Sequence, residues 1–257
     1  MKKIFISAFA FFLGTSSLFA QNNWNVSDGA LLDGKTIVKV NLGGLVLRNF
    51  GFYGERIINN RFSAVLGVNF MPKGGIPYIN NFDKVTEQDV DGTLSNLKIN
   101  TFSLIPEIRI YTGSGYGKGF YVAPYFKYET FGLTDLNVNF NDYEGVERQV
   151  NMDGRLATYS GGLMIGYQWL IGKNKNFVID WSIIGVHYGA SSGNIHGYVV
   201  NGMTEKEQIS VRDNLEEKFK DIPMIKYTIA VDSHNANVDV KGPWAFLRGG
   251  VSIGYRF

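Results

Sequence analysis

Histidine and serine side chains cluster in the segment HYGASSGNIH, which runs from His187 to His196. A histidine within hydrogen-bond reach of a serine hydroxyl can activate it as a nucleophile, and a lipid A hydrolase would hold such a pair near the membrane rim. Ser191 and Ser192 follow His187, but the segment contains no acidic residue to orient the histidine. Gly and Ser runs are also ordinary loop sequence. We expect no enzyme, and a rim His/Ser hydrolase is the alternative.

Charged side chains that share one face of regularly alternating segments form a second set of candidates. In an extended strand, side chains alternate between two faces with a period of two. The opposite face of these segments is apolar, so the charges are predicted to point into a barrel and to pair there, because a lone buried charge is costly. Glu107 with Arg109, and Lys127 with Glu129, are expected to be same-face neighbours. The predicted lumen network comprises Lys39, Glu55, Arg61, Glu107, Arg109, Lys127, Glu129, Asp180 and Arg248.

A possible cation-binding pattern lies in DLNVNFND, from Asp135 to Asp142. A calcium loop of the EF-hand type requires Gly at its sixth position and Glu at its twelfth. Phe140 and Val146 stand at those positions, and the chain contains no cysteine. We therefore expect neither a resident metal nor a cofactor.

The clearest element that positions these residues is the final stretch, WAFLRGGVSIGYRF, from Trp244 to Phe257. One face is apolar and the other carries Arg, Ser and Gly. Strands of this kind predict an all-β fold, an eight-stranded antiparallel up-and-down transmembrane β-barrel with long external loops. Tyr255 and Phe257 are the predicted C-terminal insertion signal. The other seven strands are predicted at about 35–47, 50–58, 61–70, 98–111, 120–131, 154–169 and 177–189.

The lengths of the connections favour a membrane barrel. Short turns are predicted at 59–60, 112–118 and 172–176, and long connections at 71–97, 132–153 and 190–242. Short turns on the periplasmic side and long loops outside are typical of outer-membrane barrels. A soluble lipocalin-type barrel is the competing fold, because alternation alone does not separate the two.

The connection 190–242 is predicted to be a structured external loop. Thr204 and Glu207 form a capping-box pattern, and a hairpin is predicted after Pro223. The helix either caps the barrel mouth or offers a surface to a partner, and both readings stay open. Its apolar residues at helical spacing, predicted as a loop interaction helix, are Val211, Leu215, Phe219 and Ile222.

The amino terminus predicts export. Lys2 and Lys3 precede an apolar run and then small residues up to Ala20, the plan of a signal peptide spanning 1–20 and cleaved before Gln21. Residues 21–34 are predicted to be a periplasmic lead-in, and 35–257 the barrel. The chain has 25 basic and 23 acidic residues, and loss of the two lysines would leave it neutral, so no nucleic-acid partner is expected.

Several segments carry a resemblance to a known family. They are KVNL from Lys39, the stretch Gly51 to Phe70, PEIR from Pro106, GGLMIGYQW from Gly161, and the closing GYRF. In these, the chain resembles a family of small bacterial outer-membrane β-barrel proteins without assigned function, and more distantly the OmpA/OmpW-like barrels. The resemblance implies the fold and says little about activity.

Together these patterns predict a non-enzymatic protein of the bacterial outer membrane. Its role would be structural or binding through the external loops, or that of a subunit in an outer-membrane complex. A narrow, porin-like pore is a further alternative, although eight strands enclose an interior that side chains fill. The expected partners are outer-membrane lipids and lipopolysaccharide, the barrel-insertion machinery and an outer-membrane protein.

Overall fold

A computed structural model describes residues 35–75, 97–113, 115–141, 147–199, 201–220 and 224–257. The side chains of residues 136–141, 147–149 and 218 are not described. The predicted signal peptide, its cleavage between Ala20 and Gln21, the lead-in 21–34, and Ile222 therefore lie outside the described residues.

The described strands form one antiparallel sheet that closes on itself. Eight of them pair in the order β1-β2-β3-β4-β5-β6-β7-β9, and β1 also pairs with β9, which closes the ring. The ninth, β8, pairs along part of β9. The predicted all-β, eight-stranded antiparallel barrel is confirmed. The strands are β1 (Thr36–Asn41), β2 (Phe50–Ile57), β3 (Phe62–Gly75), β4 (Lys98–Tyr111), β5 (Gly119–Asn141), β6 (Glu147–Ile171), β7 (Phe177–Tyr198), β8 (Lys226–Val231) and β9 (Asn235–Arg256).

Polarity is inverted relative to a soluble barrel. Along β4, the buried positions include Ser103, Glu107 and Arg109, while Leu104 and Ile108 between them are exposed. The period of two puts these sets on opposite sides of the wall. The other strands repeat the pattern, so an apolar belt surrounds the barrel. Exposed belt residues include Phe52, Leu66, Phe70, Phe102, Leu104, Ile108, Phe126, Leu163, Ile184, Val186, Val251 and Ile253.

The two ends of the barrel differ. At the turn end lie residues 58–61, 112–113, 115–118 and 172–176, together with the start of β1 and the end of β9. At the loop end, β5 and β6 stay paired as far as Asn141 and Glu147, and β7 and β9 as far as Tyr198 and Asn235. The described part of the predicted connection 132–153 is therefore strand, and the connection 190–242 begins and ends as strand, with a helix and a further strand between. A bulge between Leu133 and Leu136 breaks the alternation that marks the strand in sequence.

The first strand is half as long as predicted. β1 ends at Asn41, and a short helix, α1 (Leu42–Val46), replaces the expected strand from 42 to 47. Asn41 Oδ1 accepts a hydrogen bond of 3.1 Å from the Gly44 N–H, which caps the helix. The glycines at 43 and 44 weaken a strand, so the local capping bond prevails over further sheet pairing.

A second folded unit stands at the loop end. We call it the lobe: helix α2 (Glu205–Lys220), β8, and the parts of β6, β7 and β9 that share its core. Among the described residues, no helix is long and apolar enough to cross a lipid bilayer. The buried lobe core comprises Val150, Met152, Val199, Met203, Val211, Leu215, Val231, Ala236 and Val238.

Candidate functional site

The turn-end half of the lumen is organised around the Lys39 ammonium. Its Nζ lies 2.7 Å from Glu55 Oε2 and 2.6 Å from Asp180 Oδ2, and it donates to Gln168 Oε1 at 2.9 Å. Register brings these residues together: Lys39 and Glu55 lie on paired strands, while Asp180 faces Gln168 across the β6–β7 ladder. Three acceptors therefore satisfy one buried cation.

Arg109 joins this group to the middle of the lumen. Its Nη1 lies 2.7 Å from Asp180 Oδ2, and its Nε lies 2.7 Å from Glu107 Oε1. Glu107 in turn accepts from Arg248 Nη1 at 2.9 Å. The guanidinium of Arg109 also lies 4.2 Å from the ring centre of Tyr121. The ion pairs thus form one chain from β1 to β9.

Tyrosines complete the network. The hydroxyl of Tyr121 donates to Asp180 Oδ1 at 2.8 Å, and that of Tyr111 donates to Glu55 Oε1 at 2.6 Å. A Cβ at Gly166 would collide with the Tyr121 hydroxyl, so this glycine makes room for the ring. Inward glycines opposite inward tyrosines account in part for the unusual combination of Gly and aromatic residues in this chain.

The network is balanced in charge and closely packed. Lys39, Arg109 and Arg248 face the carboxylates of Glu55, Glu107 and Asp180. The void between Arg109, Asp180 and Arg248 has a volume of about 10 Å³, enough for one water molecule at most. This interior acts as a polar core, and its geometry does not favour the narrow pore.

The remaining predicted lumen residues divide into two cases. Lys127 and Glu129 pair with each other at 2.7 Å, nearer the loop end. Arg61 does not join the network, and its inclusion is wrong. It lies in the turn before β3 and is exposed, because the alternation of β3 begins only at Phe62. Sequence reasoning missed Gln168 and the two tyrosines, although the inward position of Gln168 in an alternating strand was a usable signal.

Aromatic rings meet across the lumen on the loop-end side of the Lys127–Glu129 pair. Phe131 on β5 and Trp244 on β9 lie with ring centres 5.3 Å apart, although β6 and β7 separate their strands. The contact therefore crosses the interior. Trp244 also packs against Phe246 at 5.3 Å.

The His/Ser cluster does not assemble into a catalytic pair. His187 is buried in the lumen, where its Nδ1 lies 3.0 Å from the Tyr125 hydroxyl. The Ser191 hydroxyl donates to the Gly242 carbonyl, and His196 contacts Asn237 on the outer face. His187 and His196 differ in position by an odd number, so the strand places them on opposite faces. The geometry gives the hydrolase alternative no support.

In the calcium-like pattern from Asp135 to Asp142, the structure describes the side chain of Asp135 alone. Asp135 has a positive φ of 63° at the β5 bulge, and its carboxylate pairs with Lys98 Nζ at 2.8 Å. The hydrogen bond from Lys98 is the main cause that lowers the pKa of Asp135. Within the described part of the chain, no group of three His, Asp or Glu side chains could hold a metal ion.

The predicted interaction helix turns its apolar face inward. Val211 and Leu215 are buried in the lobe core, and Phe219 packs on Tyr227 at 5.7 Å. These side chains stabilise the lobe and are not available to a partner. The capping box forms as predicted: the Thr204 N–H donates to Glu207 Oε2 at 2.7 Å, and the Glu207 N–H donates to Thr204 Oγ1 at 3.4 Å.

The solvent face of α2 is the accessible surface of the lobe. It presents Arg212, Asp213, Glu216 and Glu217, with the exposed apolar side chain of Ile209 among them. At the other end of the barrel, Tyr255 and Phe257 are exposed on the outer face, with their ring centres 5.0 Å apart. Their role in insertion stays a prediction.

These features define an eight-stranded antiparallel β-barrel with a charged interior, an apolar belt and a folded lobe at one end. The sequence matches no family model, and no curated protein matches it.

Among solved structures, the chain is similar to Acinetobacter baumannii CarO and to CarO2 from the same organism. Both are 14% identical to it; the alignments cover 82% of this chain and 97% and 98% of theirs, with TM-scores of 0.34 and 0.36. Values this low carry no inference about function, and the similarity to OmpA and OmpW stays a prediction.

Proposed function

We propose that this protein is a non-enzymatic β-barrel of the bacterial outer membrane that displays the lobe on the external side. The inverted polarity carries this proposal. Phe102, Leu104 and Ile108 are exposed on one side of β4, while Glu107 and Arg109 are buried on the other. Such a surface favours hydrocarbon over water, and a closed barrel leaves no backbone group unpaired at an edge within it.

The lobe supports a binding role. It has an apolar core of its own, a capped helix, and the β8–β9 hairpin. A connection with this much structure is more than a link between two strands. The charged face of α2 together with the exposed Ile209 is the surface that we assign to an outer-membrane partner protein, in a complex of which this chain would be a subunit.

The first experiment tests the barrel. The full-length chain is expressed, extracted from outer membranes in mild detergent, and run on gels with and without boiling. We expect faster migration of the unheated sample and silent traces in planar bilayers, since the interior is filled. Recovery of the protein in the soluble fraction would refute the membrane assignment, and steady single-channel currents would favour the pore.

A second experiment tests the lobe. Tyr198 and Asn235 are already paired across β7 and β9, so replacement of residues 199–234 by an Asn-Gly turn removes α2 and β8 at a point where a hairpin can close. The matched variant Ile209→Lys with Arg212→Glu keeps the lobe and changes its surface only. We expect proteins that co-purify with the native chain to be lost from both variants. Retention in both would contradict the assigned surface.

A further inference from the structure

The outer face of β4 to β7 changes from apolar to polar at a row of tyrosines. The rings of Tyr128 and Tyr159 lie 4.9 Å apart, and Tyr188 on the next strand is 68% exposed. On the turn-end side of this row the outward residues are apolar, as in Phe126 and Leu163. Tyrosine is enriched where hydrocarbon meets the polar headgroups, so the row marks the border of the belt.

Directly beyond this row, the outer face forms a concave groove of about 770 Å³. Tyr128 lines its lower border, so the groove is continuous with the belt. The bulge of β5 lies at the same level, and a bulge bends its strand. Its polar lining includes Asn100, Thr130, Asp153, Arg155, Asn194 and His196.

Arg155 occupies the middle of this surface. It pairs in register with Gly132 on one side and Asn194 on the other, and the Asn100 side chain lies over Gly132, where a Cβ would collide with it. Arg155 is exposed, and no described carboxylate forms an ion pair with it. The neighbouring cation, Lys98, is already neutralised by Asp135 at 2.8 Å. The groove therefore presents one available cation among amides and hydroxyls.

We propose that this groove binds the phosphorylated sugar headgroup of an outer-leaflet glycolipid, whose acyl chains lie along the belt below. The inference rests on the proposed membrane location. The groove lies at headgroup depth beside the tyrosine row, and its volume is within the range of small-molecule sites. Its chemistry fits a sugar phosphate, because the Arg155 guanidinium lies near amide and hydroxyl side chains. Apolar side chains, among them Leu133 and Leu156, line another part of the groove.

Each polar group has a role in this arrangement. The Arg155 guanidinium donates two parallel hydrogen bonds to a phosphate. Asn194 Nδ2 is engaged with Asp239 at 2.9 Å, which leaves its amide oxygen free to accept from a sugar hydroxyl. Asp153 accepts from the Asp135 N–H at 3.2 Å, and its negative charge opposes the phosphate. Asp153 thus limits the affinity that Arg155 supplies.

The test uses the full-length protein in detergent and a purified bis-phosphorylated glucosamine disaccharide lipid, with complexes counted by native mass spectrometry. We expect Arg155→Gln to weaken binding about tenfold or more, because a charge-assisted hydrogen bond is lost. Asp153→Asn keeps the bond to the Asp135 N–H and is expected to tighten binding. Lys173→Gln, which alters an exposed lysine in the turn between β6 and β7, is the matched control and is expected to change nothing.

Two results would overturn the proposal: equal binding by Arg155→Gln and the native chain, or equal binding of the dephosphorylated lipid by the native chain. Either result would mean that the lipid binds non-specifically around the apolar belt. Each variant is first checked for faster migration before boiling, which reports the folded barrel. A native chain that lacks this shift would count against the membrane assignment itself, whereas a shifted chain without phosphate preference refutes the groove alone.

Discussion

The barrel and the lobe share β6, β7 and β9 and have cores of opposite polarity. In the barrel, the buried centre is a chain of ion pairs from Lys39 through Arg109 to Arg248. In the lobe, β6, β7 and β9 continue beyond the belt and enclose Val150, Leu215 and Val238. The inward face changes from charged to apolar while the outward face changes from apolar to polar. Each core thus differs in polarity from its surroundings: the charged core lies inside an apolar belt, and the apolar core lies inside a polar surface.

This contrast explains why each region tolerates different changes. A strand that is apolar on both faces would have no preferred side, because a slip of one residue exchanges its faces. Charges in the barrel interior remove that ambiguity, at the cost that each must keep its partner. The lobe is bounded by water and obeys the usual rule that apolar volume must be conserved.

The largest effect is expected from breaking the barrel network at Arg109. Arg109→Met leaves Glu107 and Asp180 without a shared cation, so we expect a loss of about 3–5 kcal/mol in the free energy of unfolding. Urea titration followed by gel mobility measures this loss. Lys127→Met is the control, and a smaller loss is expected because the Lys127–Glu129 pair retains 15% and 10% exposure. Equal losses would contradict a continuous network.

The next largest effect is expected from a substitution that disrupts the apolar core of the lobe and leaves the barrel intact. Leu215→Ala removes a side chain that is 2% exposed, and we expect about 2–5 kcal/mol less local stability. Limited proteolysis should then cut between residues 201 and 234, while the unboiled gel shift is unchanged. The control variant Glu216→Ala, at an exposed neighbouring position, should be cleaved no faster than the native chain. A parallel fall in barrel stability would show that the two cores are one unit.

A smaller effect is expected at the start of α2. Thr204→Ala removes the hydroxyl of the capping box, which costs about 1 kcal/mol. Faster hydrogen exchange at residues 205–208 would report it, and Arg212→Ala on the exposed face is the control. Unchanged exchange would mean that packing against the lobe core alone holds this first turn.

The smallest effect depends on pH and concerns the β8–β9 turn. Hydrogen bonds from the backbone N–H of His234 and then from Asn235 lower the pKa of Asp232 below its ordinary 3.8. A carboxyl whose pKa is lower in the folded than in the unfolded state stabilises the fold at pH values above its unfolded pKa. That contribution is lost as the pH falls through the folded pKa. Exchange protection of the hairpin should therefore be constant from pH 7 to 5 and fall below about pH 4. In Asp232→Asn that fall should disappear; its persistence would point to another group.

The strand pattern and the partners within one strand could be predicted from sequence. Glu107 with Arg109, and Lys127 with Glu129, stand two residues apart, and the period of two alone makes them neighbours. The capping box of Thr204 and Glu207 is equally local. Each of these predictions depends on local backbone geometry between residues two or three positions apart, which no tertiary contact has to supply.

Other features required the closed barrel. Lys39 meets Asp180 at 2.6 Å although they are 141 positions apart in sequence. Only the closed ring with its register brings them together, because β9 joins β1 to β7. The same register sets Arg155 between Gly132 and Asn194 on the outer face. The length of β5 and β6 likewise depends on their pairing with each other, which continues to Asn141 and Glu147. Alternation, a local property, thus determined the two faces of each strand, and strand pairing, a property of the whole ring, decided what each face meets.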